Sequence, residues 1–486
     1  MRPGALYLRG LLALDANQLE AAQDWIERAI HVVPHADFFG TLCIVQIRRR
    51  AFEQATQTAQ RGLALHPEST VLRFHEAVTL QMLERIDEAA ASYHRLLELD
   101  PEHALAHANM GVVAKDLEAL DEAERHLRRA IALAPGYAGA RASLATVLLA
   151  AGRYEEAWPY FEDRWANFVD ADGRSDPARP HIPLPQWKRA HPGTTNHANG
   201  VAAHRSRLLV IPEQGHGDSL QFARYLPLAL DHFSQVTFVC PPSLRRLFEE
   251  SFCARWPGIN MIDDRISSFS QWDHYCPLMS LPMAFGTTPG TIPNATPYLY
   301  ADASRAQSWR ARLAQLAQPE LPRVGVVWAG GHSGLTEDFK RSLSYAQFAP
   351  LLAIRGLRWI SLQKTDDPAK RPDASSHALL TDWTDELSDF ADTAALIENL
   401  DLVISVDTSV AHLAAAMGKP VWLLNRYAGC WRWLRDRDDS PWYPSLRLFT
   451  QRQRGDWSQV LTDVAVALQQ RGKVATTESQ RHPAPF

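Results

Sequence analysis

Over residues 1–170 apolar positions recur with helical spacing in runs that each stop at a proline. These prolines are Pro34, Pro67, Pro101 and Pro135, spaced 33 or 34 residues apart. Runs such as WIERAIHVV, YHRLLELD and LRRAIALA read as amphipathic helices. Aligned on the prolines, Ala22, Ala55, Ala89, Ala123 and Ala157 share one repeat position. Gly10 and Gly111 share another, where Ala77 and Ala145 substitute. Small residues at these positions let two helix axes cross closely, and each hairpin buries its apolar side only by stacking on the next. The last unit, GRYEEAWPYFEDRW, brings Tyr154, Trp158, Tyr160, Phe161 and Trp165 together, as a cap packed on the next domain or as a ligand stripe.

The period is lost over 171–206, a Pro-, Gly- and His-rich stretch that reads as a linker wrapping the next domain. After it, short apolar, β-branched runs alternate with helical segments. Strands are predicted at 207–211, 236–240, 259–262, 323–328, 359–363, 402–406, 421–424 and 446–449. Helices are predicted at 220–230, 243–252, 389–400, 410–417 and 456–468. Strand–helix alternation predicts parallel sheets, hence an all-α solenoid over 1–170 followed by α/β with two Rossmann-like domains, 207–320 and 321–470. The tail, 471–486, is predicted to be disordered.

Composition narrows this picture. The chain has 486 residues and is 46% hydrophobic, enough for two or three cores. With 50 basic and 55 acidic residues it gives no argument for nucleic acid. Five scattered cysteines without a C-x-x-C predict a reducing compartment and neither a structural zinc nor a disulfide framework. His181, His191, His197 and His204 lack metal-ligand spacing. The first residues are too interrupted by charge for a signal peptide, and no apolar run approaches a membrane span. The expectation is a cytoplasmic protein, with the inner face of a membrane as an alternative address.

Candidate chemistry concentrates around 401–424. A buried strand ending at Val406 feeds Asp407, Thr408 and Ser409 and then an Ala-rich helix carrying His412. Unpaired amides at a helix start, with hydroxyls beside them, form a phosphate or diphosphate site; ordinary capping is the plainer alternative. In the earlier turn, Gly215-His216-Gly217-Asp218, no dinucleotide fingerprint is present. Asp218 there is either an N-cap or a general base for an attacking hydroxyl, with Gly217 and Gln221 near it. Asp273 and His274 fall on a segment expected to loop toward the same cleft. Gly330 and Gly331 follow another strand and allow close backbone approach, with Lys340 and Arg341 a basic spot nearby. Trp328 and Trp431 are candidates to stack on a base or sugar, or to lock a loop.

The 33- or 34-residue repeat resembles the tetratricopeptide repeat, over about five units. The segments LLVIPEQGHGDSLQFARYLP, GVVWAGG, KRSLS, DFADTAALIENLDLVISVDTSVAHLAAAMGKPVWLL and DDSPWYP resemble the heptosyltransferase superfamily, glycosyltransferase family 9, and hence a GT-B fold. The repeat-fused architecture is also similar to the O-GlcNAc transferases. The resemblance implies Asp218 as base, a donor motif on Asp407, Thr408, Ser409 and His412, and a second phosphate turn on Gly330, Gly331, Lys340 and Arg341. Thr-Ser at 408–409 departs from the Ser-Gly or Thr-Gly of many heptosyltransferases.

The leading expectation is an inverting, metal-independent glycosyltransferase with no cofactor and a nucleotide diphosphate sugar as donor. Its acceptor is a polypeptide or another macromolecule delivered by the array, which also offers a surface for homodimerisation. No Asp-x-Asp stands at a suitable strand end, and no metal ligand is assigned. Two rivals remain open: a protein-interaction scaffold whose GT-B domain is degenerate, with its cleft plugged by side chains, and a sugar-nucleotide epimerase.

Overall fold

The computed structural model describes residues 2–167, 181–188, 206–331, 336–365 and 380–481. Most of the expected linker, His332 and Ser333 of the glycine turn, and residues 482–486 of the expected tail lie outside the described residues. The chain divides into two compact units, Met1–Ala151 with Pro159–Phe168, and Gly152–Trp158 with Val169–Phe486.

The first unit is a tetratricopeptide-repeat solenoid of paired helices. They are α1 Pro3–Asp15, α2 Leu19–Val32, α3 Ala36–Arg48, α4 Phe52–Leu65, α5 Thr70–Met82, α6 Ile86–Leu99, α7 Ala104–Asp116, α8 Leu120–Leu133 and α9 Ala138–Ala150. A shorter α10, Tyr154–Phe161, comes next. The aligned alanines do what their spacing predicts: Ala22, Ala55, Ala89, Ala123 and Ala157 are all fully buried. Gly10 and Gly111 mark the closest crossings. A Cβ on Gly111 would stand 2.5 Å from Leu127 Cγ and 3.1 Å from the Ala123 carbonyl; one on Gly10 would stand 2.5 Å from Ile26 Cγ1.

The second unit is α/β with two parallel sheets, a GT-B-like arrangement. The first sheet has β1 Arg207–Ile211, β2 Gln235–Val239, β3 Ile259–Ile262 and β4 His274–Pro277, in the order β3-β2-β1-β4. The second has β5 Arg323–Val327, β6 Arg358–Ser361, β7 Leu380–Asp382, β8 Leu402–Val406, β9 Val421–Asn425 and β10 Leu446–Thr450, in the order β10-β9-β8-β5-β6-β7. That order is the doubly wound one, reversing between β5 and β8. Strands buried on both faces, such as β8 and β9, explain the continuous apolar runs.

The helices of this unit are α11 His216–Phe222, α12 Tyr225–Ala229, α13 Pro242–Phe248, α14 Leu281–Ala284, α15 Ala303–Leu313, α16 Thr336–Lys340, α17 Tyr345–Leu352, α18 Phe390–Ile397, α19 Ser409–Ala416 and α20 Ser458–Arg481. Several differ from expectation. The single helix expected over 220–230 is two, because Pro227 in α12 cannot donate to the preceding turn. The closing helix continues well past 468, since no proline occurs until Pro483. Of the expected loop at 273–274, Asp273 is a bend and His274 starts β4, which pairs with β1 on one side and is bridged at Tyr275 by Gln186 on the other. Through that bridge the described residues 181–188 lie beside the edge of this sheet.

The Gly111 crossing yields a stability test. Gly111→Val gains under about 1 kcal/mol of helix propensity but overpacks a closed contact, which costs about 1–3 kcal/mol. A lower melting temperature of the helical signal is expected, while Gly136→Ala, with nothing near its added Cβ, leaves it unchanged. Equal melting of the two variants would show that the crossing at Gly111 tolerates a side chain.

Candidate functional site at the carboxyl ends of the sheets

Open parallel sheets bind ligands where strand order reverses. At the reversal of the six-stranded sheet, β5 runs into Trp328-Ala329-Gly330-Gly331 and β8 into Asp407-Thr408-Ser409. A cavity of about 300 Å³ opens here, lined among others by Gly330, Gly331, Lys364, Phe390, Thr408 and Ser409. This is the low end of ligand-pocket volumes. The β5 turn is held rigidly: the Trp328 and Ala329 amides both donate to Gln363 Oε1, at 3.0 and 2.8 Å, and the Gly330 amide donates to Ser342 Oγ at 2.9 Å. An added Cβ on Gly330 would lie 2.6 Å from Arg341 Nε, so a side chain there would displace the guanidinium. Arg341 donates to the Asp407 carbonyl at 2.9 Å and pairs with the Asp338 carboxylate. It therefore braces the two turns against each other. Lys340, half-exposed at the end of α16, is not among the residues lining the cavity.

On the β8 side, the residues assigned to the donor motif are engaged with one another. Thr408 is nearly buried, and its hydroxyl meets Ser405 Oγ at 2.9 Å. His412 has Nδ1 3.0 Å from the Tyr443 hydroxyl and Nε2 3.7 Å from Asp407 Oδ1, and its ring stacks on Trp433 at 5.4 Å. Asp407 Oδ2 accepts from Trp433 Nε1 at 3.0 Å. Burial works against its ionisation, but His412, the Trp433 N–H and Arg432 outweigh that and hold its carboxyl well below the usual carboxylate range. Ser409, starting α19, lines the cavity and takes no part in this network.

Asp218 lies in the first turn of α11, as its spacing predicts. One carboxylate oxygen accepts from the Gly215 amide at 2.9 Å; the other is ion-paired with Arg432. The N-cap is Gly215 instead of Asp218, whose carboxylate reaches back to the Gly215 amide from the third helical position. The starts of α11 and α19 also touch. An added Cβ on Gly217 would stand 3.1 Å from His412 Cδ2 and 3.6 Å from Ser409 Cα. The turn carrying Asp218 is brought against residues 409–412, while the Asp218 carboxylate itself is taken up by Arg432. His216 reaches Ser243 Oγ at 2.9 Å and faces Phe390, and partial desolvation lowers its pKa.

The other candidates are placed elsewhere. Asp273 accepts from the Arg207 amide at 2.7 Å, at the amino end of β1, opposite to the cavity. His274 pairs with Leu208 at that same end. Both sit at the amino end of the sheet, Asp273 in the bend before β4 and His274 as its first residue, away from the cavity. Gln221 is fully buried, with neither amide atom hydrogen-bonded. Trp328 is fully buried in the second-sheet core, ring to ring with Phe348 at 5.7 Å, so it packs instead of stacking on a ligand. Trp431 is locked among Tyr154, Trp158, Phe222 and Trp442 at 6.0–6.4 Å. Tyr154 and Trp158 thus act as core in this unit, and Trp158 Nε1 donates to the Thr287 carbonyl at 2.7 Å.

Sequence reasoning missed Arg432 and Arg224. The signal was the Trp- and Arg-dense stretch WRWLRDRDD, but its partner Asp218 is 214 residues away. The same stretch also holds the Arg437–Asp439 ion pair at 2.5 Å.

Residues 387–427 are similar to the family described as glycosyltransferase family 9 (heptosyltransferase), and residues 114–158 to the tetratricopeptide repeat. The chain is 28% identical over 349 residues to Protein FlbA of Caulobacter vibrioides, a match over 67% of this chain and 54% of that protein. The chain thus spans about half the length of this curated relative. Among solved structures, the MamA protein is similar at 16% identity and a TM-score of 0.31, over 34% of this chain and 90% of MamA. YrrB, titled a TPR protein with an unusual peptide-binding site, is similar at 27% identity and a TM-score of 0.26, over 28% of this chain and 72% of YrrB. No helix among the described residues is long and apolar enough to cross a membrane.

Two tests arise from this geometry. Asp407 has a depressed folded-state pKa, so its stabilisation is complete above the unfolded value near 4 and is lost as pH falls through the lower folded value. The stability difference between the native chain and Asp407→Asn should stay constant from pH 7 to 5 and shrink below about pH 4. A difference independent of pH down to 2 would assign Asp407 no ionised role. The second test is a double-mutant cycle. Arg432→Met strands a largely buried carboxylate and should cost about 3 kcal/mol in denaturant unfolding, and adding Asp218→Asn should recover part of it. Additive losses would mean that the two groups do not interact.

Proposed function

We propose that this chain is a protein-interaction scaffold: a repeat solenoid joined to a GT-B-like unit that keeps a small ligand pocket but has its transfer cleft closed. The observation carrying this reading is the Asp218–Arg432 ion pair, together with the contact of Gly217 against Ser409 and His412. A general base needs a free lone pair aimed at an acceptor hydroxyl, and an acceptor needs room beside the donor's anomeric carbon. Here each oxygen of the carboxylate already accepts one hydrogen bond, from the Gly215 amide and from Arg432, and the starts of α11 and α19 abut at Gly217. The pocket at Gly330, Gly331 and Ser409 remains suited to a phosphate-bearing ligand such as a nucleotide. The solenoid presents a polypeptide-binding surface of the kind such arrays use.

The family similarity over 387–427 favours a second reading, an inverting transferase using a nucleotide diphosphate sugar. In that reading Asp218 takes the proton from the acceptor hydroxyl once Arg432 has withdrawn. The α19 amides with Ser409, and Arg341 beside Gly330, stabilise the departing diphosphate.

One experiment separates them. The full chain is incubated with UDP-, GDP-, ADP- and CMP-sugars, with water, small sugars and candidate polypeptides as acceptors, alongside Asp218→Asn. The scaffold reading expects no release of nucleotide above that of the variant, with nucleotide binding still measurable by calorimetry. Turnover that Asp218→Asn lowers a hundredfold or more, at unchanged nucleotide affinity, would overturn it in favour of the transferase.

A further inference from the structure

The solenoid carries a cluster that neither reading uses. His94 on α6 and Glu122 and His126 on α8 converge, with their ligand-type atoms all within 4.8 Å of one another. Glu122 Oε1 lies 3.5 Å from His94 Nε2 and 3.7 Å from His126 Nε2. In tetrahedral zinc sites, bonds of about 2.0–2.2 Å place neighbouring ligand atoms roughly 3.3–3.5 Å apart. Two of the three edges are therefore near their liganded length without any ion.

A second observation points the same way. His126 is largely buried, and its Nδ1 is 2.9 Å from His107 Nδ1 on α7, whose Nε2 is 3.1 Å from the Pro101 carbonyl. A carbonyl only accepts, so His107 carries its proton on Nε2 and offers a lone pair at Nδ1. That lone pair must accept from His126 Nδ1–H, which leaves the Nε2 lone pair of His126 aimed at Glu122 and His94. Fixing a ligand histidine's tautomer through its other nitrogen is how outer-shell groups prepare metal sites. The nearest competitor is Arg125, 3.5 Å from the same Glu122 oxygen, and its side chain is 69% exposed and free to swing into water.

We propose that His94, Glu122 and His126 bind a divalent transition metal of the zinc class, with His107 as positioning residue and a fourth position open to water. Two imidazoles and one carboxylate favour Zn²⁺ or Co²⁺ over Mg²⁺ and Ca²⁺, which prefer all-oxygen shells. Because α6 and α8 are the second helices of successive hairpins, the ion clamps two repeats together.

The test uses the untagged full chain, stripped with a chelator and titrated with Zn²⁺ against a chromogenic competitor. One tightly bound ion per chain is expected, with a rise in melting temperature. Co²⁺ should give the intense visible bands of a four-coordinate site. His94→Ala, at a half-exposed position, and Glu122→Gln should each abolish stoichiometric binding while the helical circular dichroism is retained. His107→Leu should weaken binding about 10- to 100-fold. Absence of a bound ion, or affinity unchanged in both His94→Ala and Glu122→Gln, overturns the proposal.

Discussion

Arg224 has left water almost completely, and neutral groups hold its charge. Its guanidinium donates to the Pro293 and Trp442 carbonyls at 3.1 and 2.6 Å and to the Tyr298 hydroxyl at 3.0 Å, while Nε donates to the Gln221 carbonyl at 2.8 Å. The rings of Tyr298, Trp442 and Tyr443 surround it at 4.5–5.4 Å. Burying a cation without a carboxylate costs several kcal/mol unless the geometry of its donors and rings is good. The side chain therefore tolerates few arrangements of its neighbours. It lies just after α11, and what it grips is the loop before β10. The two sheets of the α/β unit are joined through this residue.

The consequence reaches the candidate site. Once residues 442–443 are fixed, Tyr443 meets His412, Trp433 stacks on His412 and reaches Asp407, and Arg432 lies against Asp218. Each contact is ordinary, but together they tie the starts of α11 and α19 to the loop before β10. An isolated Arg432–Asp218 pair would open easily. One embedded between a gripped loop and two abutting helix starts opens only if the whole loop moves.

The strands of the second sheet were legible because β8 and β9, buried on both faces, must be uninterrupted apolar runs. The solenoid was legible because its crossings admit only small residues such as Ala123 and Gly111. β4 was not: His274-Tyr275-Cys276-Pro277 has no β-branched residue and ends in proline, and only pairing with β1 makes it a strand. β7 is three residues long and carries no period at all. The position of Asp218 in its helix was readable from local spacing, while its partner belongs to a loop that no local pattern connects to it. The histidine cluster was hidden for the same reason. Its members lie on three helices, and only Glu122 and His126, four apart on α8, share a local signal.

The motif that most resembles a transferase is also the one most occupied with structure. Asp407 accepts from an indole and its carbonyl from Arg341, Thr408 meets Ser405, and His412 bridges Tyr443 and Asp407. Replacing Asp407, for one, would leave the Trp433 N–H without its acceptor, which costs about 1–3 kcal/mol. These residues are therefore needed by the fold whether or not a sugar is ever transferred. Their presence in the chain carries little weight for activity. What discriminates is the part of the site with no structural duty: the glycine turn at 330–331, the open start of α19 and the room beside Asp218. Of these, the glycine turn and the start of α19 line the cavity, while Asp218 is held by Arg432.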